Sequence, residues 1–174
     1  MKAYQDASLA PARRAKALLE EMTLAEKVGQ INQRLYGFRI YERKCVNGED
    51  TIELGVLYGL YRADPWADKD YETGLTGVLS KKAYNQVQRY VLEHSRLGIP
   101  VMMSSECPHG HQALDGYLLP VNLLAGATFD PAMVRAAYRV SGRQLQNMGV
   151  DFALMSMLDV LRDPRWGRSE ECYS

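Results

Sequence analysis

Residues 98–111 read GIPVMMSSECPHGH and contain the transition that decides the fold. Gly98 follows a helical pattern, and the apolar run 99–103 has the length and composition of a buried strand. A mainly polar segment, 104–111, comes directly after it. The stretch therefore predicts a buried strand that ends at Met103 and opens into a polar loop.

Two helices are predicted, one on each side of this strand. Ser80 is expected to cap the first, which runs to about Arg96. Asp130 is expected to be the N-cap of the second, because Pro131 suits the first helical position, where no N–H is needed. Gly149 ends this second helix. Each predicted helix therefore leads through a glycine into an apolar run.

Two further apolar runs, 56–61 and 152–158, predict a first core strand and a last, fully buried strand. Strands that alternate with helices in this order are typical of a parallel sheet with crossover helices. In such α/β folds, ligands bind at the carboxyl ends of the strands. We therefore expect the segments 106–111 and 159–168 to lie on one rim and to form one candidate site.

The N-terminal region predicts two short amphipathic helices that pack on the outside of the sheet. The first covers residues 11–22. The second begins with a capping box, in which Thr23 and Glu26 each bond the backbone N–H of the other. The side chains expected to be buried on this second helix are Leu24, Val28 and Ile31.

Length and charge limit the classes of function. A chain of 174 residues favours a single domain over 1–174. Lys plus Arg and Asp plus Glu number 21 each, so no net field favours nucleic acid or an anionic membrane as a partner. No apolar run approaches the roughly 18 residues of a membrane span, and the first residues lack the apolar core of a signal peptide. A cytoplasmic location is expected, unless a leader has been removed.

Neither a metal nor a cofactor is predicted. His109 and His111 could join Glu106 around a metal, but a third ligand and the i, i+4 spacing of zinc motifs are lacking, so a structural role is favoured for them. The cysteines are widely spaced without a CxxC motif, which favours reduced thiols over a disulfide framework or a zinc site. They are Cys45, Cys107 and Cys172.

The densest group of charged and aromatic residues is RDPRWGR at 162–168. Arg162 and Asp163 are expected to form an internal salt bridge that fixes this loop, and Trp166 is expected to belong to the same brace. Arg168 is freer to point into a pocket, although a second bracing pair is an equally good interpretation. This segment is expected to close one wall of a binding pocket.

Two residues elsewhere leave alternatives open. Glu106 could be a general acid, a metal ligand or an acceptor for substrate hydroxyls, and the alternative is an ion pair with a neighbouring arginine. Trp66 could stack on a sugar, but a loop tryptophan more often serves packing.

Four separated motifs, in this order, resemble the N-terminal domain of family 3 glycoside hydrolases, the β-glucosidase and β-xylosidase group. They are MTLAEKVGQ at 22–30, GIPV leading to ECPHG over 98–110, ATFDP at 127–131, and DVLRDPRWGR at 159–168 with Glu171 and Tyr173 after it. The resemblance divides the domain into N-terminal helices (1–35), a variable insertion with the first strand (36–80) and βα units that carry the site motifs (80–174).

The resemblance implies a fold and a reaction. The fold is α/β, a (β/α)8 TIM-type barrel of which this chain would form about the first half. The reaction is retaining hydrolysis of a terminal β-linked glucose or xylose through a covalent glycosyl-enzyme. The resemblance gives Glu106 the role of a carboxylate that holds sugar hydroxyls, and Arg168 the role of a sugar-binding arginine. A small carbohydrate is the expected partner.

The resemblance also implies what is missing. A sugar-binding Lys-His pair, the nucleophilic Asp and the acid/base follow the last motif in the family. We therefore expect a truncated enzyme fragment, inactive by itself, with no catalytic residue of its own. A half barrel leaves strand edges uncovered, which predicts a homo-oligomer. The alternative is a non-catalytic sugar-binding or self-associating module.

Overall fold

The computed structural model of the chain describes residues 2–34 and 55–173, so Cys45 and residues 36–54 of the proposed insertion lie outside the described residues. The helices are α1 (Pro11–Glu21), α2 (Leu24–Gln30), α3 (Gly77–His94), α4 (Asn122–Gly126) and α5 (Pro131–Asn147). The strands are β1 (Gln33–Arg34), β2 (Val56–Tyr58), β3 (Met102–Cys107) and β4 (Phe152–Met155). Short 3-10 turns cover Ala3–Gln5 and Ser169–Glu171.

The four strands form one parallel sheet in the order β1-β2-β3-β4. Leu57 of β2 pairs with Met103 of β3, and Glu106 of β3 pairs with Leu154 of β4. Helix α3 connects β2 to β3, and helices α4 and α5 connect β3 to β4. The predicted parallel α/β order is therefore confirmed.

The core lies where the sheet meets α3 and the segment after β3. Tyr61 is part of it, and its hydroxyl donates to the carbonyl of Met148 at the end of α5 (2.7 Å). Burial of these apolar side chains is the main stabilising term for such a unit. The core residues are Leu57, Leu60, Tyr61, Val91, Val101, Met103 and Ala113.

The central strand differs from its prediction. β3 begins at Met102 and extends to Cys107, so Glu106 lies within a strand and not in a loop. The polar residues Ser104 and Ser105 are each 1% exposed, and β3 pairs with a strand at each of its edges. Backbone pairing overrides side-chain polarity here.

The last strand is shorter and less buried than predicted. β4 ends at Met155, and Phe152 and Met155 are 48% and 43% exposed, so the prediction of a fully buried strand over 152–158 is wrong. Among residues 2–34 and 55–173, β4 pairs with β3 on one side only. Its apolar side chains therefore remain partly uncovered.

Helix α2 has the predicted capping box but buries a different face. The Thr23 N–H donates to Glu26 Oε2 (2.8 Å), and the Glu26 N–H donates to Thr23 Oγ1 (3.2 Å). Arg96 also binds the Glu26 carboxylate through Nε (2.8 Å) and Nη2 (2.6 Å), and these bonds lower the pKa of Glu26 to about 2. Because Arg96 holds Glu26 inward, the expected buried stripe is exposed: Leu24, Val28 and Ile31.

Helix α3 begins earlier than predicted. Its first residue is Gly77, whose N–H donates to Asp115 Oδ2 (2.5 Å), so Ser80 is not the N-cap. Ser80 lies inside the helix and is 2% exposed. Gly98 adopts a φ of 59° beyond the end of the helix, a conformation that suits glycine. In the described part of the chain, no helix is long and apolar enough to cross a membrane.

Helix α5 starts as predicted, and its cap gives a test of local stability. Asp130 Oδ1 accepts the N–H groups of Ala132 and Met133 (3.0 Å each), and Pro131 follows it. We expect Asp130→Ala to lower the free energy of unfolding by about 1 kcal/mol, because two N–H groups lose their acceptor. Urea denaturation measures this difference. Asp130→Asn, which retains an acceptor oxygen, should stay close to the wild type, and an alanine variant of unchanged stability would contradict the capping role.

Candidate functional site

Glu106 lies at the carboxyl end of β3, beside the carboxyl end of β2. Its Oε1 accepts a short hydrogen bond from the hydroxyl of Tyr58, the last residue of β2. Arg62 Nη1 donates to the same hydroxyl (2.6 Å) and lies 3.9 Å from Glu106 Oε1. The Glu106 side chain is 24% exposed, so a ligand can reach it.

Tyr58 has a clear electrostatic role in this group. Burial raises the pKa of its hydroxyl above the usual range, and the hydrogen bond and charge of Glu106 raise it further. Tyr58 therefore keeps its proton and donates it in the bond to the carboxylate. The carboxylate is held at Oε1, and the Glu106 side chain as a whole remains 24% exposed.

Arg62 is fixed by a second carboxylate. Its Nε lies 2.7 Å from Asp64 Oδ2, and its Nη2 lies 2.5 Å from the same oxygen. The side chains of Arg62 and Asp64 are only 16% and 17% exposed. A partly buried pair of this kind keeps a defined geometry, unlike a solvated surface ion pair.

The two histidines of the motif differ in burial and in their hydrogen-bond partners. His111 is fully buried, and its Nε2 lies 2.9 Å from Ser105 Oγ. The Nδ1 of His109 lies 3.1 Å from the carbonyl oxygen of Leu119. Among the described residues, no group of three or more His, Cys, Asp or Glu side chains is arranged to hold a metal ion.

The expected salt bridge in the 162–168 segment has a different partner. Asp163 binds Arg165, whose Nε lies 2.9 Å from Oδ1 and whose backbone N–H donates to the same oxygen (3.0 Å). The prediction of an Arg162–Asp163 pair is therefore wrong, because the local turn directs Arg165 onto the carboxylate. Arg162 is exposed and Trp166 is 50% exposed, so the structure does not bury the segment as a brace.

Arg168 is engaged in a bidentate ion pair. Its Nε and Nη2 lie 2.7 Å and 2.6 Å from the two carboxylate oxygens of Glu171. The hydrogen bonds from Arg168 to Glu171 and the charge of Glu171 raise the pKa of Arg168, and the charge of Glu106 adds a smaller contribution.

Hydrogen bonds fix the chain segment that carries Glu171. The Tyr173 N–H donates to the carbonyl of Asp159 (3.1 Å), and the Tyr173 hydroxyl accepts from Ser156 Oγ (2.9 Å). Asn122 Nδ2 donates to the carbonyl of Glu171 (2.7 Å), which attaches the segment to α4. Glu171 is thereby held where it can pair with Arg168.

Sequence reasoning missed Tyr58 and Arg62. Arg62 could have been found by the rule already used for the other strands: polar residues that follow an apolar run lie at the carboxyl end of a strand. Tyr58 lies inside the run, so this rule does not identify it. Arg62 and Asp64 directly follow the run 56–61. The same rule applied to β2 adds them to the candidate site.

Comparisons with known proteins agree on one relationship. The family model described as "Glycosyl hydrolase family 3 N terminal domain" matches residues 68–174. A putative beta-xylosidase from Formosa agariphila is 30% identical over 172 residues, which cover 99% of this chain and 22% of that protein. A periplasmic beta-glucosidase from Salmonella typhimurium is 28% identical over 90% of this chain and 18% of its own length.

Solved structures give the same relationship. The b-glucosidase EmGH1 from Erythrobacter marinus has a TM-score of 0.75 and 29% identity, over 99% of this chain and 22% of that one. A beta-glucosidase from Listeria innocua, solved in complex with isofagomine, has a TM-score of 0.66 and 28% identity, over 92% of this chain and 20% of that one. The chain thus spans about a fifth of the length of these proteins.

Proposed function

Because this chain belongs to the family of glycoside hydrolase family 3 N-terminal domains, we propose that it is the sugar-holding part of a retaining β-glycosidase. The substrates proposed for the whole enzyme carry a terminal β-linked glucose or xylose. The names of the relatives, which are beta-xylosidases and beta-glucosidases, support this substrate class. The charge balance of the chain is compatible with a neutral sugar.

We propose that the four parallel strands are about the first half of a (β/α)8 barrel. The sequential order β1-β2-β3-β4 and the helices between the strands support this arrangement. The uncovered apolar side chains of β4 suit an edge on which further strands pack. In such a barrel the substrate binds at the carboxyl ends of the strands, where Glu106 lies.

The observation that carries the proposal is the accessible carboxylate of Glu106, fixed at one oxygen by Tyr58 and supported by Arg62. A preorganised carboxylate is a strong acceptor for the hydroxyl groups of a sugar. We propose that Arg168 donates to the same sugar from the neighbouring loop. Its guanidinium has five donors, so it can bind a hydroxyl while it stays paired with Glu171.

Retaining hydrolysis requires a nucleophilic carboxylate and an acid/base. We assign neither role to a residue of this chain, since the resemblance gives both to residues that follow the last shared motif. Glu106 is engaged with Tyr58 and Arg62, which suits binding better than proton transfer to a leaving group. The chain by itself is therefore proposed to bind sugar without turnover.

Titration of the 15N-labelled chain with methyl β-D-glucopyranoside and methyl β-D-xylopyranoside tests the proposal. We expect saturable changes in the backbone amide signals around Glu106 and Arg168. The polyol myo-inositol is a control that has hydroxyls but no glycosidic group. Signals that do not move with either glycoside would contradict the sugar-binding function.

A second candidate function is self-association without catalysis. The exposed side chains of Phe152, Met155 and Leu158 on and after β4 favour it, because an open apolar strand edge pairs readily with another chain. Light scattering after size exclusion is expected to give a homo-oligomer. A clean monomer would count against self-association and leave the sugar-binding proposal intact.

The location in the cell remains a prediction. The sequence favours the cytoplasm, whereas the relative from Salmonella typhimurium is named a periplasmic enzyme. Fractionation of the source cells, with an antibody against the chain, separates the two compartments.

A further inference from the structure

A segment outside the family motifs contacts the candidate site. It is RADPWA at 62–67, hereafter the RADPWA segment. It contributes Arg62 to the cluster with Tyr58 and Glu106, and it carries Trp66, which is 55% exposed. A large aromatic side chain is thus kept at the surface, in contact with the arginine that neighbours the proposed sugar-binding carboxylate.

The backbone ties the RADPWA segment to Glu106. Arg62 and Ala113 form an antiparallel bridge, and the Ala63 N–H donates to the carbonyl of Gln112 (3.2 Å). The Gln112 N–H in turn donates to the carbonyl of Glu106 (3.1 Å). Main-chain hydrogen bonds therefore fix the segment relative to the strand that carries the carboxylate.

Asp64 fixes the Arg62 side chain and the turn that contains Trp66. Its Oδ2 binds Arg62, and its Oδ1 accepts the N–H of Ala67 (3.0 Å), which closes the turn that contains Trp66. The Arg62 guanidinium carbon lies 4.9 Å from the centre of the Trp66 ring. This distance is within the range of a cation–π contact, which orients the indole.

Sugar rings combine apolar C–H faces with polar hydroxyl edges. A sugar-binding site therefore needs an aromatic surface that packs on the C–H face and fixed hydrogen-bonding groups that bind the hydroxyls. Glu106 supplies the fixed acceptor, and Trp66 supplies an exposed aromatic surface attached to the same cluster through Arg62. A pyranose ring fits this combination better than a flexible peptide or an anion does.

We propose that the RADPWA segment is a second wall of the sugar site, in which Trp66 stacks on a pyranose ring. Arg62 is a positioning residue that orients the indole on one side and the Tyr58–Glu106 pair on the other. The inference rests on the proposed sugar-binding function. It assigns to this segment a role that none of the shared motifs carries.

Four variants of the chain test the proposal with methyl β-D-glucopyranoside as the probe. Trp66→Ala is expected to weaken binding by about tenfold, while Trp66→Phe, which keeps an aromatic face, stays within about threefold of the wild type. Arg62→Gln is expected to weaken binding by about tenfold, and Arg62→Lys to recover part of the loss, since lysine keeps the charge but not the planar fork. Tyr117→Ala is the matched control, an aromatic residue that is 63% exposed and contacts α5 through Gln144.

A direct readout does not depend on variants. The chain has two tryptophans, so its 15N spectrum has two indole N–H signals, which Trp66→Phe and Trp166→Phe assign. We expect the sugar to shift the Trp66 signal, and Arg62→Gln to reduce this shift even if the variant stays fully folded. A merely structural role for Arg62 would leave the shift unchanged in the folded variant.

The outcomes separate this inference from the function it rests on. A wild-type Trp66 signal that does not move, while the amides around Glu106 do, overturns the stacking role and keeps the proposed function. If Trp66→Ala and Arg62→Gln keep near-wild-type affinity while Glu106→Gln loses binding, the stacking role is likewise overturned and the proposed function is kept. A wild-type chain that binds neither methyl glycoside overturns both.

Discussion

Replacing Glu106 with glutamine is expected to weaken binding of methyl β-D-glucopyranoside by about tenfold to a hundredfold. A hydrogen bond to a charged group contributes about 1.5–3 kcal/mol, and the neutral amide loses the charge that strengthens it. The amide also disturbs the bond from Tyr58, because an NH2 group turned toward the hydroxyl cannot accept its proton. Isothermal titration calorimetry or an NMR titration measures the change.

The matched control is Glu72→Gln. Glu72 is an exposed carboxylate that follows β2 in the chain but lies outside the cluster with Tyr58 and Arg62. The Glu72→Gln variant should bind the sugar as tightly as the wild type does. If both variants keep wild-type affinity, Glu106 is not the carboxylate that holds the sugar.

Acid is expected to destabilise the chain through His111. Burial lowers the pKa of His111 to about 4, whereas an unfolded histidine titrates near 6.5. Between these values the unfolded chain binds a proton that the folded chain excludes, so the free energy of unfolding falls as the pH drops from about 6.5 to about 4. The loss from this residue is about 3 kcal/mol, and it is absent above pH 6.5.

The measurement is urea denaturation across this pH range. The slope that His111 contributes should disappear in His111→Gln, whatever the stability of that variant at neutral pH. His94→Gln removes an imidazole at the exposed end of α3 and should retain the slope of the wild type. Equal slopes for the wild type and His111→Gln would mean that His111 does not resist protonation.

Local signals in the sequence predicted local structure well. The capping box at Thr23 and the N-cap at Asp130 form as expected, because each involves residues no more than three positions apart. The parallel order of strands also follows from the alternation of apolar runs and helices. These features depend on neighbours that the sequence places side by side.

Features set by distant residues were not predictable. The buried face of α2 depends on Arg96, which is 70 positions away from Glu26, so the apolar spacing of the helix indicated the wrong face. The polar run 104–106 was interpreted as a loop, although it pairs with strands on both sides and its serines are buried. In each case tertiary contacts outweigh the local pattern.

In the candidate site, too, some features were predictable from the local sequence and others depend on distant residues. Glu106 was identified from its position after an apolar run, but its partner Tyr58 lies 48 positions earlier, so the pair emerges only when β2 and β3 align. In the 162–168 segment, two arginines flank Asp163, and composition alone could not choose between them. The turn that bonds the Arg165 N–H to Asp163 decides the pairing.

The central claim is that this chain holds sugar without hydrolysing its glycosidic bond. The most direct test is to incubate the purified chain with 4-nitrophenyl β-D-glucopyranoside and 4-nitrophenyl β-D-xylopyranoside, and to measure binding of the matching methyl glycosides to the same sample. We predict saturable binding and no release of 4-nitrophenol above the background. Release that disappears in Glu106→Ala or Arg168→Ala would contradict the claim, because it would mean that this chain supplies the catalytic carboxylates itself.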